Sequence, residues 1–324
     1  MEPAGEGSGP RAVFTLLPTS GTVAAFRDKS PLRSPYSVIS KGMDWQADTR
    51  TPLKAYLFSC FSELTYLYVA AHEVAGHDRY KLFPSLALRQ LISEGLRIDF
   101  VTVLQQVGDI FVEIIELERF IYFVFRTNQF MVIAVRGTAS GADWTINVNA
   151  RKRGGYHLGF YDEAARAMPA LVKAVGDANR VYFTGHSLGG AVAGVLGQIW
   201  PEPSRRKTPY VYASPRFGSR EVVRRLPPFG YVAPRDIVPH LPPAFLGFAD
   251  AGCPPIEIRT EVHWISDVQS WIWPDAKFAA PHWIERYRAA LGREVSEDFP
   301  ETVYVDALLR QIKNQKGSFA GPLI

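Results

Sequence analysis

Ser187 stands in the run Thr184-Gly-His-Ser-Leu-Gly-Gly190, which contains the spacing Gly-x-Ser-x-Gly. A β-rich run, Arg180–Thr184, precedes it, and an Ala-, Val- and Gly-rich helical run, Leu188–Trp200, follows. A serine hydroxyl is a weak nucleophile until it is presented to a base. A sharp strand-to-helix turn does this by lifting the oxygen clear of the C-terminal edge of a sheet. Small residues at Gly185 and Gly189 let such a turn close, and the helix that follows aims N–H groups and its positive end at developing negative charge. The chemistry implied is acyl transfer.

A serine presented in this way needs an acid and then a histidine further along the chain. Asp236 follows the short strand-like run Tyr231–Ala233 and opens a Pro-bounded loop, Arg235-Asp-Ile-Val-Pro-His-Leu-Pro-Pro243. Asp250, Asp267 and Asp275 lack that strand-then-loop setting. His72, His77 and His157 precede Ser187, and His186 sits inside the turn, where it cannot fold back as a base. His240, His263 and His282 remain. His282 opens a helical run after Pro281 and is the preferred base, with His263 next. His240 lies only four residues beyond Asp236 and is read as supporting the loop.

Acyl transfer also needs two donors aimed at the oxyanion. The N–H of Leu188 follows the nucleophile. Thr138, at the end of the apolar run Met131–Arg136, offers an N–H and a hydroxyl. Candidate substrate contacts are Trp144, His186, Trp264 and Trp271. Trp264, Trp271, Trp273 and Trp283 read either as an acyl-binding wall or, preferably, as packing around the last helices. His72-Glu-Val-Ala-Gly-His77 has i, i+5 spacing, whereas two ligands on one helix face need i, i+4, so no metal site is expected. No GxGxxG run supports a dinucleotide, and no cofactor is expected.

Positioning such a site requires strands alternating with helices. Phe120–Arg126 and Phe130–Arg136 are apolar runs joined by Thr127-Asn-Gln129, a hairpin. Further strands are expected at 180–184, 209–213, 231–233 and 256–260. Helices are expected at 52–72, 84–94, 160–176, 188–200, 282–291 and 303–313; the stripe Leu57, Phe61, Leu64, Tyr68 is read as core. Residues 99–118 fit strand by β-branching and helix by length. This order predicts an α/β fold with a mostly parallel central sheet and helices on both faces. Residues 1–50, rich in Gly, Pro, Ser and Arg, read as a loosely structured lead-in to one domain over 51–324.

The 324 residues carry 36 Lys and Arg against 32 Asp and Glu, a net charge of +4 with no long basic stripe, which argues against a nucleic-acid partner. With 47% hydrophobic and 21% charged residues the chain is of globular composition, and two cysteines make no disulfide framework. No run of 18 uncharged apolar residues predicts a transmembrane anchor. The opening MEPAGEGSGP lacks a basic-then-apolar leader. The localisation expected by default is therefore cytoplasmic, or export by a route that needs no signal.

Several ordered motifs together resemble one known family. They are Val135–Ser140 with Asp143-Trp144, His157-Leu-Gly-Phe160, Gly185–Gly190, Tyr212–Gly218, Arg235–Pro243 and His282-x4-Tyr287, spanning roughly 130–290. The chain is similar to the class 3 lipases of the α/β-hydrolase fold, fungal triacylglycerol lipases and bacterial relatives. The resemblance implies Ser187 as nucleophile, Asp236 as orienting acid, His282 as base, and Thr138 with Leu188 as oxyanion hole. It implies a lipid or small ester as substrate, met at a lipid–water interface, with a phospholipase or a retired hydrolase fold as alternatives. Where the family often has aromatic-x-His-x-Gly, this chain reads Phe248-Ala-Asp-Ala-Gly252. Where fungal members have a short helical lid, it reads Gly141–Val148.

Overall fold

The computed structural model describes residues 44–67, 111–127, 130–137, 150–234, 236–252, 254–258, 282 and 284–295, with the backbone of 11–13, 96–98 and 320–322. The expected helices at 84–94 and 303–313, and the core position Tyr68, lie outside these residues.

In chain order the described strands are β1 (Arg11–Val13), β2 (Leu96–Ile98), β3 (Phe111–Glu116), β4 (Ile121–Arg126), β5 (Met131–Arg136), β6 (Lys152–Arg153), β7 (Tyr156–His157), β8 (Val181–His186), β9 (Tyr210–Tyr212), β10 (Phe229–Val232), β11 (Ile256–Glu257) and β12 (Ala320–Pro322). The α-helices are α1 (Pro52–Leu64), α2 (Leu158–Val175), α3 (Leu188–Ile199), α4 (Arg220–Arg225) and α5 (Ile284–Val295). Eight strands form one sheet in the order β1-β3-β4-β5-β8-β9-β10-β11. The β1-to-β5 half is antiparallel, and β5, β8, β9, β10 and β11 are mutually parallel. β6 and β7 form a small hairpin, and β2 pairs with β12.

Both faces of the sheet are covered, so its central strands are apolar throughout rather than alternating. On one face Val132, Ala134, Tyr182, Tyr210 and Tyr212 pack with α1 and α5. On the other, Met131, Ile133, Val135, Val181, Phe183 and Val211 pack with α2 and α3. The ambiguous stretch 99–118 yields β3 over its last part, where it pairs along its whole length with β4. A sheet that is parallel from β5 to β11, set between helix layers with a strand-to-helix turn at its centre, is the α/β-hydrolase architecture.

Helix α1 begins where the sequence says it should. Pro52 occupies its first turn, and the Thr51 hydroxyl accepts the Lys54 N–H at 3.1 Å. It stops at Leu64, earlier than the expected 72, and passes into a 3-10 turn, Thr65–Leu67. The helix is polar-bonded to the sheet: the Tyr212 hydroxyl donates to the Ala55 carbonyl at 2.5 Å, and Thr184 donates to Phe58 at 3.2 Å. Residues 44–50, the last of the expected lead-in, run against the domain. Trp45 is buried among Phe58, Phe130 and Tyr182, and Asp48 accepts the hydroxyl of Thr208 at 2.7 Å.

Candidate active site

Ser187 caps α3 directly after β8. Its backbone sits at φ 58° and ψ −134°, a region that non-glycine residues rarely occupy. Strain of this kind persists only where the surroundings impose it, and here they are two close backbone approaches. A Cβ at Gly185 would collide with the backbone of Gly189, and one at Gly189 would collide with the carbonyl of Val135 and the amide of Gly137. The register agrees, since Gly185 lies level with Val135 on one side and Val211 on the other. The turn therefore seats the start of α3 on the end of β5.

Three distant side chains meet at that turn. The His282 Nε2 lies 2.7 Å from the Ser187 Oγ, and its Nδ1 lies 2.9 and 3.1 Å from the two oxygens of Asp236. A carboxylate only accepts, so Nδ1 carries the proton and Nε2 is free to receive one from the serine. Asp236 is 1% exposed. Its carboxylate also accepts the Tyr287 hydroxyl at 2.7 Å and the Val238 N–H at 3.0 Å, and Tyr287 in turn accepts the Ala233 N–H at 2.9 Å. Burial alone would push the Asp236 carboxyl up. The charge and hydrogen bond of His282, then Tyr287 and Val238, outweigh it and hold the carboxyl below its usual range.

Leu188 opens the first turn of α3, where a backbone N–H has no acceptor within the helix. Thr138, the second expected oxyanion donor, lies outside the described residues, as do Trp144, Trp264 and Trp271. Gly137 immediately precedes Thr138, and a methyl at Gly137 would lie 3.3 Å from the Ser187 Cβ, so β5 ends beside the serine. Of the other base candidates, His240 is exposed and its carbonyl accepts from Arg216 at 2.7 Å, while His263 lies outside the described residues.

His186 is corrected by the structure. Expected among the substrate contacts, it is 1% exposed, with Nδ1 at 2.9 Å from the Tyr66 hydroxyl and Nε2 at 2.6 Å from the His282 carbonyl. Neither nitrogen is left for a substrate. Tyr66 and Tyr287 are the residues that sequence reasoning missed as site components. Tyr287 was visible in the His282-x4-Tyr287 spacing, five residues beyond His282, but Tyr66 has no local signal because its contact spans 120 residues.

The loop after Asp236 is held firmly. Arg216 bonds the carbonyls of His240 and Pro242 at 2.7 and 3.0 Å and pairs with Asp250 at 2.7 Å. Lys152 bonds the carbonyls of Leu246 and Gly247 at 2.7 and 3.0 Å.

Residues 132–246 match the family described as Lipase (class 3). The secreted mono- and diacylglycerol lipase 1 of Fusarium solani is 32% identical over 136 residues, 36% of this chain and 41% of that protein. A lipase of Rhizomucor miehei is 32% identical over 127 residues, 34% of this chain and 33% of that protein. The chain thus aligns with well under half the length of either relative. Among solved structures, a mono- and diacylglycerol lipase from Aspergillus oryzae is 16% identical, with 75% of this chain and 99% of that chain covered at a TM-score of 0.46. The fold assignment rests on the sheet order and the elbow described above, not on that likeness. The cytoplasmic default is overturned: the Fusarium relative is a secreted protein, and the first residues of this chain do not decide its compartment. No helix among the described residues is long and apolar enough to cross a membrane. Over residues 132–246, which carry the strand-to-helix turn at Ser187, Asp236 and the strands that hold them, the chain is similar to the class 3 lipases.

Proposed function

We propose that the chain hydrolyses carboxylic esters of lipids through an acyl-enzyme on Ser187. The observation that carries this reading is the hydrogen-bond chain from the Ser187 Oγ through His282 to Asp236, set on a strained strand-to-helix turn. His282 Nε2 takes the serine proton as Oγ adds to the ester carbonyl carbon. The carbonyl electron pair moves onto oxygen, where the N–H of Leu188 and Thr138 receive it. The tetrahedral species collapses, the alkoxide leaves with the proton from Nε2, and the acyl group stays on Oγ. Water then attacks the acyl carbon, giving its proton to Nε2. Collapse releases the acid, and Ser187 recovers its proton from Nε2. Asp236 keeps the imidazole in the tautomer that can accept at Nε2 and stabilises the imidazolium while it lasts.

The substrate class is read from the relatives, one a mono- and diacylglycerol lipase and one a lipase. The test is hydrolysis of p-nitrophenyl esters from acetate to palmitate, with a serine-reactive fluorophosphonate as titrant. Ser187→Ala is expected to lower turnover by several orders of magnitude and to abolish labelling, whereas loss of one oxyanion donor costs about 10²–10³. A wild-type protein that neither labels nor turns over any ester, with or without detergent, would sink the reading. Cleavage confined to phospholipid head-group esters would replace it with a phospholipase.

A further inference from the structure

We propose that His186 and Tyr66 form a buried relay that positions the base His282 and ties it to the end of β5, making both positioning residues for the reaction proposed at Ser187. Every hydrogen bond in the relay has only one possible direction. The His282 carbonyl is an acceptor, so the Nε2 of His186 must carry the proton and donate to it at 2.6 Å. The Nδ1 of a neutral His186 is then bare, so the Tyr66 hydroxyl donates to it at 2.9 Å. The oxygen of Tyr66 accepts the amide of Gly137. The chain runs Gly137 N–H to Tyr66, Tyr66 to His186, and His186 to the main chain of the base.

Three elements converge on it. Gly137 directly follows β5, one residue before the expected oxyanion donor Thr138. Tyr66 sits in the 3-10 turn after α1, and His186 is the last residue of β8, next to the nucleophile. Tyr66 is 2% exposed and His186 1%. His282 is thereby fixed at two points. Asp236 holds its ring through Nδ1, and His186 holds its backbone through the carbonyl. A ring fixed at one point can swing, whereas two points fix the direction in which Nε2 faces Ser187. Misplacement of a reacting group by about 1 Å can cost about 10²-fold in rate.

The residue type also fits the electrostatics. The rings of His186 and His282 lie 4.7 Å apart. When His282 takes the serine proton, a second cation at that distance would oppose the transfer. Burial first, and then the neighbouring His282, pushes His186 down to about 3, so it stays neutral throughout turnover. A neutral donor is required, and lysine or arginine would fail.

The experiment counts active sites by fluorophosphonate titration and expresses kcat per labelled site, so that partial unfolding drops out. His186→Leu removes the donor and is expected to lower kcat per site by about 10–100-fold with KM within about threefold. His186→Gln keeps a neutral N–H donor and is expected to recover kcat to within about threefold of wild type. Tyr66→Phe is expected to lose about three- to tenfold, and Tyr66→Phe with His186→Leu to lose no more than His186→Leu alone, because the two act in series. The inference is overturned if His186→Leu labels at the wild-type rate with unchanged kcat per site, if glutamine is as poor as leucine, or if the double variant is multiplicative. It rests on the reading of Ser187 as nucleophile, and the two failures are distinguishable: absence of labelling in wild type removes that reading, whereas normal labelling in wild type with an unchanged labelling rate and kcat per site in His186→Leu removes only the relay.

Discussion

Asp236 sets the cost of burial against hydrogen bonds that more than offset it. It is buried, yet four hydrogen bonds hold it ionised, two to His282 and one each to Tyr287 and Val238. A carboxyl whose folded pKa is depressed stabilises the fold above its unfolded value. That contribution is lost as pH falls from about 4 through the folded value. Tyr287→Phe removes one of the bonds and is expected to shrink this share. Denaturation below pH 4 should begin at higher pH in the variant, and ester turnover should fall about tenfold, both checked by pH-dependent unfolding and p-nitrophenyl butyrate kinetics. Ser187 and Asp236, which the structure brings together through His282, stood out as candidates because each is marked locally, one by glycine spacing and one by a strand running into a Pro-bounded loop. His282 was separable from His240 by the helix start after Pro281. His186 was misassigned because its partners, Tyr66 and the His282 carbonyl, are 120 and 96 residues away and leave no mark on the surrounding sequence.

Among elements, the pairing of β8 with α3 is the most demanding. The absence of side chains at Gly185 and Gly189 lets α3 settle on β5, and with it the serine acquires its strained conformation. Gly189→Ala is expected to destabilise the protein by about 1–3 kcal/mol, since the added methyl meets backbone rather than a side chain that can move aside. Thermal unfolding with parallel fluorophosphonate labelling would check it: labelling should fall together with the melting temperature. A variant that melts like wild type and labels fully would contradict the close approach. The long apolar runs made β4, β5 and β8 readable in advance, and the amphipathic spacing of 160–176 gave α2 to within two residues at its start. The hairpin β6–β7 and the six-residue α4 were not anticipated. Two-residue strands have no period to detect, and α4 is set by the Ser219 cap rather than by a stripe. Helix α1 was read too long because its apolar spacing continues past Leu64, where the chain turns.

For the whole molecule, two histidines among the described residues are buried in forms that resist charging. His186 is pushed down to about 3, and His157, wedged between Phe160 and Phe248 with no hydrogen-bond partner for its ring nitrogens among the described residues, is pushed down by burial to about 4. Each binds a proton more readily unfolded than folded. Stability is therefore full above about pH 6.5 and falls as pH drops from there toward 4, where His157 itself charges, and on toward 3 for His186. His157→Phe keeps the stacking and removes one proton site, so its melting temperature should fall less than that of wild type between pH 7 and 4.5. An unchanged slope would show that His157 does not contribute. At the surface, the large apolar side chains left exposed among the described residues are Ile237, Phe245 and Leu246, at 50, 86 and 41%. All follow Asp236 on the loop that Arg216 and Lys152 hold. On the proposed reading this loop meets the lipid. Phe245→Ser should lower retention on anionic vesicles severalfold and leave turnover of p-nitrophenyl acetate unchanged, whereas equal retention would exclude the loop from that contact.

Helix α5 carries Tyr287 and starts two residues after His282; it lies against α1, and the two helices are joined across the core by the buried pair of Arg288 and Glu63, 225 positions apart. During synthesis the turn at Ser187, the sheet and Asp236 leave the ribosome well before the base does. A nascent chain can hold a shaped but proton-inert serine until α5 has been made. Reactivity toward fluorophosphonate should therefore arise in one step, when α5 docks, rather than build up with length. Ribosome-stalled chains ending near residue 260 should be compact and unreactive, and chains with α5 fully emerged should label.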